Sequence, residues 1–173
     1  MLTITSKKSM KPEPMTDFML SLNVQWGEGF ADLAEKPVST AQCRRWVKAA
    51  MACDAEITLR FVDKKEGREL NKQFRGKDYA TNVLTFPLYG DEVTLPEGVS
   101  LPCIADSVIC WQVVEEEAKS QNKPLKNHLA HLVIHGCLHA QGHDHETDEE
   151  AETMESLEVA LLRRFKINDP YQA

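Results

Sequence analysis

The sequence predicts an α+β fold, with one domain in which a small mixed sheet of about four strands packs against helices. Strand-like alternation of apolar and polar residues lies mostly in the first two thirds of the chain, and helical patterns dominate the last third. The chain has 173 residues, of which 42% are hydrophobic. That size suits one continuous core and is too small for two comfortable domains. Residues 1–16 are polar and contain two prolines, which predicts a mobile leader before a single domain over 17–173.

The first half of the domain alternates strands with helices. The predicted elements are a strand over 18–25, a helix beginning after Ser39 or Thr40, a strand over 56–62 and a helix from Asp63 to about Phe74. Both strands alternate apolar and polar residues, as strands with one buried face do. The first helix has apolar residues at i, i+3, i+4, i+7 and i+8. The second begins with Asp63 followed by Glu66, the spacing of a capping box.

The second half begins with two short strands and ends in helices. The predicted elements are strands over 83–87 and 103–110 and helices over 111–121 and 125–141, followed by a last helix. Glycines and prolines between the two strands indicate a loop. Thr147 with Glu150 predicts the start of the last helix. Its expected buried stripe is Ala151, Met154, Leu157, Leu161, Leu162 and Phe165.

Composition narrows the functional class. The net charge of -7 disfavours a polyanion partner unless the surface has a local basic region. The five cysteines include no Cys-x-x-Cys pair and lie mostly in apolar runs, which is typical of reduced core residues in a cytosolic protein. No stretch approaches eighteen apolar residues, so we expect a cytoplasmic protein without a membrane partner.

Three histidines predict a metal site. His135, His139 and His145 follow the spacing His-x3-His-x5-His. Residues four apart on a helix share a face, so His135 and His139 can bind one ion, and Gly142 allows the turn that returns His145 to it. Three imidazoles leave a fourth tetrahedral position for water, which is the composition of a catalytic zinc site with one Zn²⁺ per chain. The alternative is a set of solvated or core histidines, a reading that fits single histidines better than this cluster.

Other polar residues near the cluster have less direct predicted roles. His128 and His131 lie one or two turns upstream, too far for the same ion. We therefore expect them to contact a metal-binding residue or to pack against other side chains. His143 is a minority choice as a ligand, and Asp144 is a candidate acceptor for a ring nitrogen of a ligating histidine.

The type of reaction depends on the residue after the first histidine. The spacing equals that of metzincin proteases, but Gly136 replaces their catalytic glutamate, so a protease would need a base from elsewhere. Phosphodiester hydrolysis can instead use a metal and a cation. Residues 60–77 hold seven Lys or Arg against three acids, whereas 127–162 hold eight carboxylates and no Lys or Arg. A polyanion held in a cleft between these regions and a merely solvated helix face both explain this pattern.

Three sequence blocks resemble the motifs of one known family. Residues 135–145, HGCLHAQGHDH, are similar to its H-G-x-L-H-x-x-G-[Y or similar]-D-H. Residues 71–86, NKQFRGKDYATNVLTF, resemble N-x-x-Y/F-R-x-x-D-x-x-T-D/N-V-L-S/T-F, and DPY at 169–171 also fits. By these blocks the sequence resembles the YbeY family of bacterial endoribonucleases. Two positions depart from the pattern. His143 stands where tyrosine is frequent, and Ala105 precedes Asp106 in place of the usual glycine.

The resemblance implies a single-strand-specific, zinc-dependent endoribonuclease that acts in 3′-end maturation of 16S ribosomal RNA and in late quality control of 70S ribosomes. It implies zinc at His135, His139 and His145 and an important Arg75. Expected partners are single-stranded RNA, the 16S precursor and the small subunit with its associated proteins, and no DNA. We expect Arg75 to hold the scissile phosphate, with Lys72, Lys77 and Arg68 as RNA-binding candidates. A metalloprotease-like hydrolase and a non-catalytic, metal-stabilised assembly factor remain alternatives.

Overall fold

A computed structural model describes residues 17–90 and 93–172. The predicted mobile leader, residues 1–16, lies outside the described residues. The strands are β1 (Leu20–Trp26), β2 (Ala55–Val62), β3 (Val83–Pro87) and β4 (Cys103–Cys110). The helices are α1 (Thr40–Ala50), α2 (Lys64–Arg75), α3 (Trp111–Ser120), α4 (Leu125–Ala140) and α5 (Asp148–Arg163), with a short 3-10 helix at Glu28–Phe30.

The four strands form one mixed sheet in the order β1-β2-β4-β3. β1 and β4 both run parallel to β2, while β3 pairs antiparallel to β4 with Thr85 opposite Ser107. Successive side chains along β2 and β4 point to opposite faces of the sheet. The larger core covers the face that holds Leu59 and Ile109, and a smaller cluster around Val108 covers the other face. The predicted α+β class and four-stranded mixed sheet are confirmed.

Helix α4 lies at the centre of the molecule. It contacts α1, α3 and α5 as well as β3 and β4. Its buried residues surround the helix, which is why its sequence from Leu129 to Leu138 is apolar apart from histidines and Gly136. A helix that packs against several elements is held rigidly, so the backbone positions of the residues at its C-terminal end are fixed.

Helix caps explain where the flanking helices begin. Thr147 and Glu150 form the full predicted capping box at the start of α5. Asp63 caps α2 by accepting from the backbone N–H of Glu66 at 2.8 Å. The Glu66 carboxylate, however, accepts from Arg60 instead of closing a capping box. The predicted box at α2 is thus only half formed, because a cation from β2 competes for the carboxylate.

The predicted buried stripe of α5 is wrong at Leu157. Leu157 of α5 is 36% exposed, whereas the adjacent Glu158 is 0% exposed. The buried line runs instead through Met154, Glu158 and Leu162 at intervals of four residues. A purely hydrophobic pattern missed this, because the buried face contains a carboxylate with polar partners on α4.

No helix within the described part of the chain is both long enough and apolar enough to span a membrane.

Candidate metal centre

Helix α4 brings the first two predicted ligands together. The Nε2 atoms of His135 and His139 are 3.0 Å apart. Two nitrogens that bind one tetrahedral zinc at about 2.0–2.1 Å lie about 3.3 Å from each other. The observed spacing is close to that value without any rearrangement of the helix. Two successive turns of α4 therefore form half of a tetrahedral site.

A glycine turn supplies the third histidine. Gly142 has φ +89°, a left-handed conformation that residues with a Cβ rarely adopt. Gly142 N–H donates to the carbonyl of His139 at 3.0 Å and His143 N–H to that of Leu138 at 3.1 Å, the paired bonds of a Schellman motif. The chain then reverses, and the His145 ring centroid lies 4.9 Å from that of His139. The ligand nitrogens of His135, His139 and His145 lie within 4.8 Å of one another.

A buried carboxylate holds the first histidine. Glu158 Oε1 accepts from His135 Nδ1 at 2.5 Å. Its other oxygen accepts from His131 Nε2 at 3.0 Å and from the Tyr171 hydroxyl. Burial alone would raise the pKa of Glu158, but the hydrogen bonds from His131, His135 and Tyr171 outweigh it and lower the pKa to about 2. Glu158 is therefore a carboxylate acceptor that favours Nδ1–H on His135 and a free lone pair on Nε2.

The group formed by His131, His135 and Glu158 also has its potential ligand atoms within 4.8 Å of one another. However, the 2.5 Å between Glu158 and His135 Nδ1 is much shorter than the spacing of about 3.3 Å expected for two ligands of one tetrahedral ion. This second group is therefore a hydrogen-bonded network rather than a second ion site.

Electrostatics favour the neutral form of His139, the second predicted ligand. Burial lowers the pKa of His139, and the adjacent His135 and His145 lower it further. A hydrogen bond with the backbone of His143 and the charge of Asp144 act in the opposite direction. Only a neutral imidazole binds a metal, so this environment favours ligation. The three-imidazole donor set and its spacing fit a borderline ion such as zinc.

Gly136 marks a close approach of α4 to the sheet. A Cβ at this position would lie 3.1 Å from Ser107 Oγ and 3.2 Å from Thr85 Oγ1, with Val83 also nearby. A glutamate after the first histidine, as in metzincins, would therefore require these side chains or α4 to shift by a few tenths of an ångström. The metzincin base is absent from the sequence, and the tight packing at its position favours glycine.

A cleft of about 620 Å³ extends from the three histidines. Its wall includes Arg75, the last residue of α2, and Lys77, which follows that helix, together with the exposed aromatic rings of Tyr79 and Tyr89. Cations, aromatic faces and a metal-type histidine cluster thus line one open space. Such a combination suits a polyanion with accessible bases.

Known proteins resemble this chain over most of its length. The family model described as Endoribonuclease YbeY matches residues 28–166. The chain belongs to the YbeY family. The Endoribonuclease YbeY of Cupriavidus pinatubonensis is 46% identical over 171 residues, covering 99% of this chain and 81% of the relative. That of Herminiimonas arsenicoxydans is 50% identical over 153 residues, covering 88% and 95% respectively. A solution structure from Thermotoga maritima has 27% identity and a TM-score of 0.49, covering 90% of this chain and 100% of that one.

Membership of the YbeY family confirms the predicted enzyme class, a nucleic-acid-cleaving hydrolase. A possible metal-binding group is also present at the predicted histidines.

In this YbeY-family chain, Arg75 lies in the same cleft as the three histidines. Its Nη2 donates to the backbone carbonyl of Thr85 at 3.3 Å, and its guanidinium carbon is 5.6 Å from the Phe86 ring centroid. Within residues 17–90 and 93–172 it forms no ion pair with a carboxylate. The carboxylate of Asp78, three residues after Arg75, accepts instead from Arg68 through hydrogen bonds of 2.8 and 3.0 Å.

The other predicted RNA-binding residues divide between two grooves. Lys77 lines the histidine cleft. Arg68 and Lys72 line a neighbouring groove, where both face Asp78. Tyr79 borders both spaces.

The structure assigns different contacts to the remaining site residues. His131 contacts Glu158, and His143 lines the cleft. Asp144 accepts from the backbone N–H of His145 at 2.8 Å, whereas Glu158 accepts from the ring of His135. Sequence reasoning missed Glu158 and the role of Tyr171. The available signal was a glutamate four residues from both Met154 and Leu162, on the apolar face of α5.

Proposed function

We propose that this protein is a zinc-dependent endoribonuclease that cleaves single-stranded RNA, acts in maturation of the 16S ribosomal RNA 3′ end and contributes to late quality control of 70S ribosomes. The observation that carries the proposal is one cleft that combines His135, His139 and His145 with Arg75 and Lys77. Family membership supports RNA as the polymer that is cut. The ribosomal role follows from the family resemblance in the sequence.

The chain's own residues account for recognition of a phosphodiester. Arg75 offers a planar pair of donors that matches two phosphate oxygens, and Lys77 adds positive charge nearby. Tyr79 and Tyr89 provide faces on which unpaired bases stack. Paired bases are already stacked on one another, so these faces favour a single strand over a duplex.

Glu158 and the Gly142 turn fix the histidine rings before substrate enters the cleft. His135, His139 and His145 would hold a zinc ion, which would supply Lewis-acid chemistry in the cleft. Arg75 stabilises the negative charge that develops on the phosphate. Gly136 leaves no glutamate base beside the site, which suits phosphodiester cleavage better than peptide cleavage.

The proposed partners are the 16S precursor and the small subunit with its associated proteins, met in the cytoplasm.

An assay with three substrates tests the proposal. Purified protein is incubated with an unstructured RNA, with a duplex of the same sequence and with casein, each with and without a chelator. We expect cleavage of the single strand only, lost with chelator and restored by zinc. His139→Ala should lose both bound zinc and cleavage, while Glu149→Gln on the exposed start of α5 should keep both.

Two results would contradict this assignment. Chelator-sensitive hydrolysis of casein without RNA cleavage would favour a metalloprotease. Tight binding of RNA and zinc by the wild-type protein without turnover would favour a metal-stabilised assembly factor.

A further inference from the structure

Glu158 is a buried anion without a cationic side chain beside it. Its exposed fraction is 0%, and its hydrogen-bond partners are His131, His135 and the Tyr171 hydroxyl. No Lys or Arg forms an ion pair with it within the residues that the structure describes. A carboxylate removed from water is stable only when it is well hydrogen-bonded and its charge is balanced. The hydrogen bonds are present, and a cation bound at the histidines would supply the balancing charge.

The orientation of His135 gives this carboxylate a specific effect. His135 Nδ1 donates to Glu158 at 2.5 Å, so the lone pair is on Nε2. That atom lies 3.0 Å from His139 Nε2, inside the proposed metal site. A metal-binding histidine that donates its other N–H to a carboxylate is held in one tautomer and is a stronger ligand.

The C-terminal segment completes this arrangement. The Tyr171 hydroxyl donates to the Glu158 oxygen that also accepts from His131. The His131 and Tyr171 rings meet edge to face, with centroids 5.5 Å apart. Lys123 Nζ donates to the carbonyl of Pro170 at 2.7 Å and so ties the segment to the start of α4. Residues more than twenty positions beyond the last metal-type histidine thus fix the carboxylate that orients the first.

We propose that Glu158 is the positioning residue of the metal site and that Tyr171, through Glu158, sets the affinity of that site for its ion. The inference rests on the proposed metal site at His135, His139 and His145. It adds α5 and the C-terminal segment to the elements that determine metal binding. Neither residue touches the ion or the substrate, because both act through His135.

The test compares Glu158→Gln, Tyr171→Phe and a control, Glu152→Gln, which changes an exposed carboxylate on the same helix. Zinc affinity is measured on the full chain by competition with a chromophoric chelator. The thermal midpoint is measured with and without zinc, and Co²⁺ absorption reports ligand geometry. We expect Glu158→Gln to weaken zinc binding by about 10–100-fold, as is usual when a partner of a metal ligand is lost. Tyr171→Phe should weaken it less, by up to about 10-fold.

The metal-dependent part of the thermal midpoint separates positioning from general stability. A weaker site gives a smaller rise in the midpoint on adding zinc, whatever the midpoint of the metal-free protein. Both variants should show this smaller rise and a changed Co²⁺ spectrum, and Glu152→Gln should match wild type. Lower metal-free midpoints with unchanged affinity, rise and spectrum would show a merely structural role and overturn the inference. A wild-type protein that binds no zinc would overturn the metal site itself.

Discussion

Two adjacent positions on α4 show how single residues select the chemistry of the cleft. His135 is held from one side by Glu158, while Gly136 faces Ser107 and Thr85 of the sheet. A Cβ at position 136 would lie 3.1 Å from Ser107 Oγ and 3.2 Å from Thr85 Oγ1, so these side chains or α4 would have to shift. The close packing of α4 on β3 and β4 therefore favours glycine where metzincins have their glutamate base.

Arg75 is the residue whose replacement best tests phosphate recognition. Its guanidinium lies near Phe86 and, among the residues that the structure describes, bonds only to a backbone carbonyl, so it is available to a phosphate. We expect Arg75→Ala to cut the RNA cleavage rate by about 10²-fold or more, the usual cost of losing a donor to a developing oxyanion. Zinc content and the thermal midpoint should change little, because the side chain is exposed. Arg75→Lys should restore RNA binding better than cleavage.

The matched control for Arg75 is Arg44→Ala. Arg44 is also exposed and donates to a backbone carbonyl, that of Leu20 at 3.1 Å, but it does not line the histidine cleft. Its replacement should leave cleavage near the wild-type rate. Equal rates for the two alanine variants would remove Arg75 from the catalytic residues and leave the metal site unaffected.

At the scale of elements, periodic patterns predicted which helices and strands exist, and in which order, better than they predicted which side chains are buried. The strands β3 and β4 occupy the predicted ranges, and the helix ends differ from prediction by a residue or two. Patterns of this kind depend on short-range contacts and are visible in sequence. The burial of Glu158 depends on which face of α5 meets α4 and on a tyrosine at position 171. Such pairings join residues distant in sequence, so no local pattern reveals them.

The same reasoning applies to the cleft. The His-x3-His-x5-His spacing was sufficient to predict that the three histidines lie together, because a helix and one glycine turn determine their geometry. The division between Lys77 in the cleft and Lys72 in the neighbouring groove was not predictable. It depends on Asp78, which accepts from Arg68 and lies 3.6 Å from Lys72.

The contact between α3 and α4 predicts a pH dependence of stability. His128 of α4 is 5% exposed, and its Nε2 lies 2.7 Å from Glu117 Oε2. Burial lowers the pKa of His128, and the Glu117 hydrogen bond only partly offsets this. Between the lowered folded value and the unfolded value of 6.5, the unfolded chain binds a proton that the folded chain does not. The free energy of unfolding should therefore fall as the pH is lowered through 6.5.

Urea denaturation of the metal-free protein at several pH values measures this effect, because chelation removes the separate pH dependence of metal binding. One such group contributes a slope of at most about 1.4 kcal/mol per pH unit inside the window. His128→Gln should make the dependence shallower, with the lowered pKa of His139 contributing in the same direction to what remains. An unchanged slope in His128→Gln would show that His128 titrates alike in the folded and unfolded chains.

For the whole molecule, the important feature is that positive charge is local. The net charge is -7, yet the histidine cleft includes Arg75 and Lys77. The first two thirds of the chain supply these cations, and the last third supplies the histidines and most of a carboxylate-rich surface. RNA should therefore approach from the α2 side, because the α5 side repels it.

This distribution predicts a weak dependence of RNA binding on salt. Each phosphate neutralised on a single strand contributes about -0.7 to the slope of log affinity against log salt. Two cleft cations give a slope of about -1.4 for the chelated protein, which binds without cutting.

Lys77→Gln should make the slope shallower by about 0.7. Lys72→Gln should have a smaller effect because Asp78 already offsets the charge of Lys72. Fluorescence anisotropy of a short labelled RNA measures these slopes. Equal effects of the two variants would mean that RNA breaks the Asp78 ion pairs and continues along α2 into the neighbouring groove.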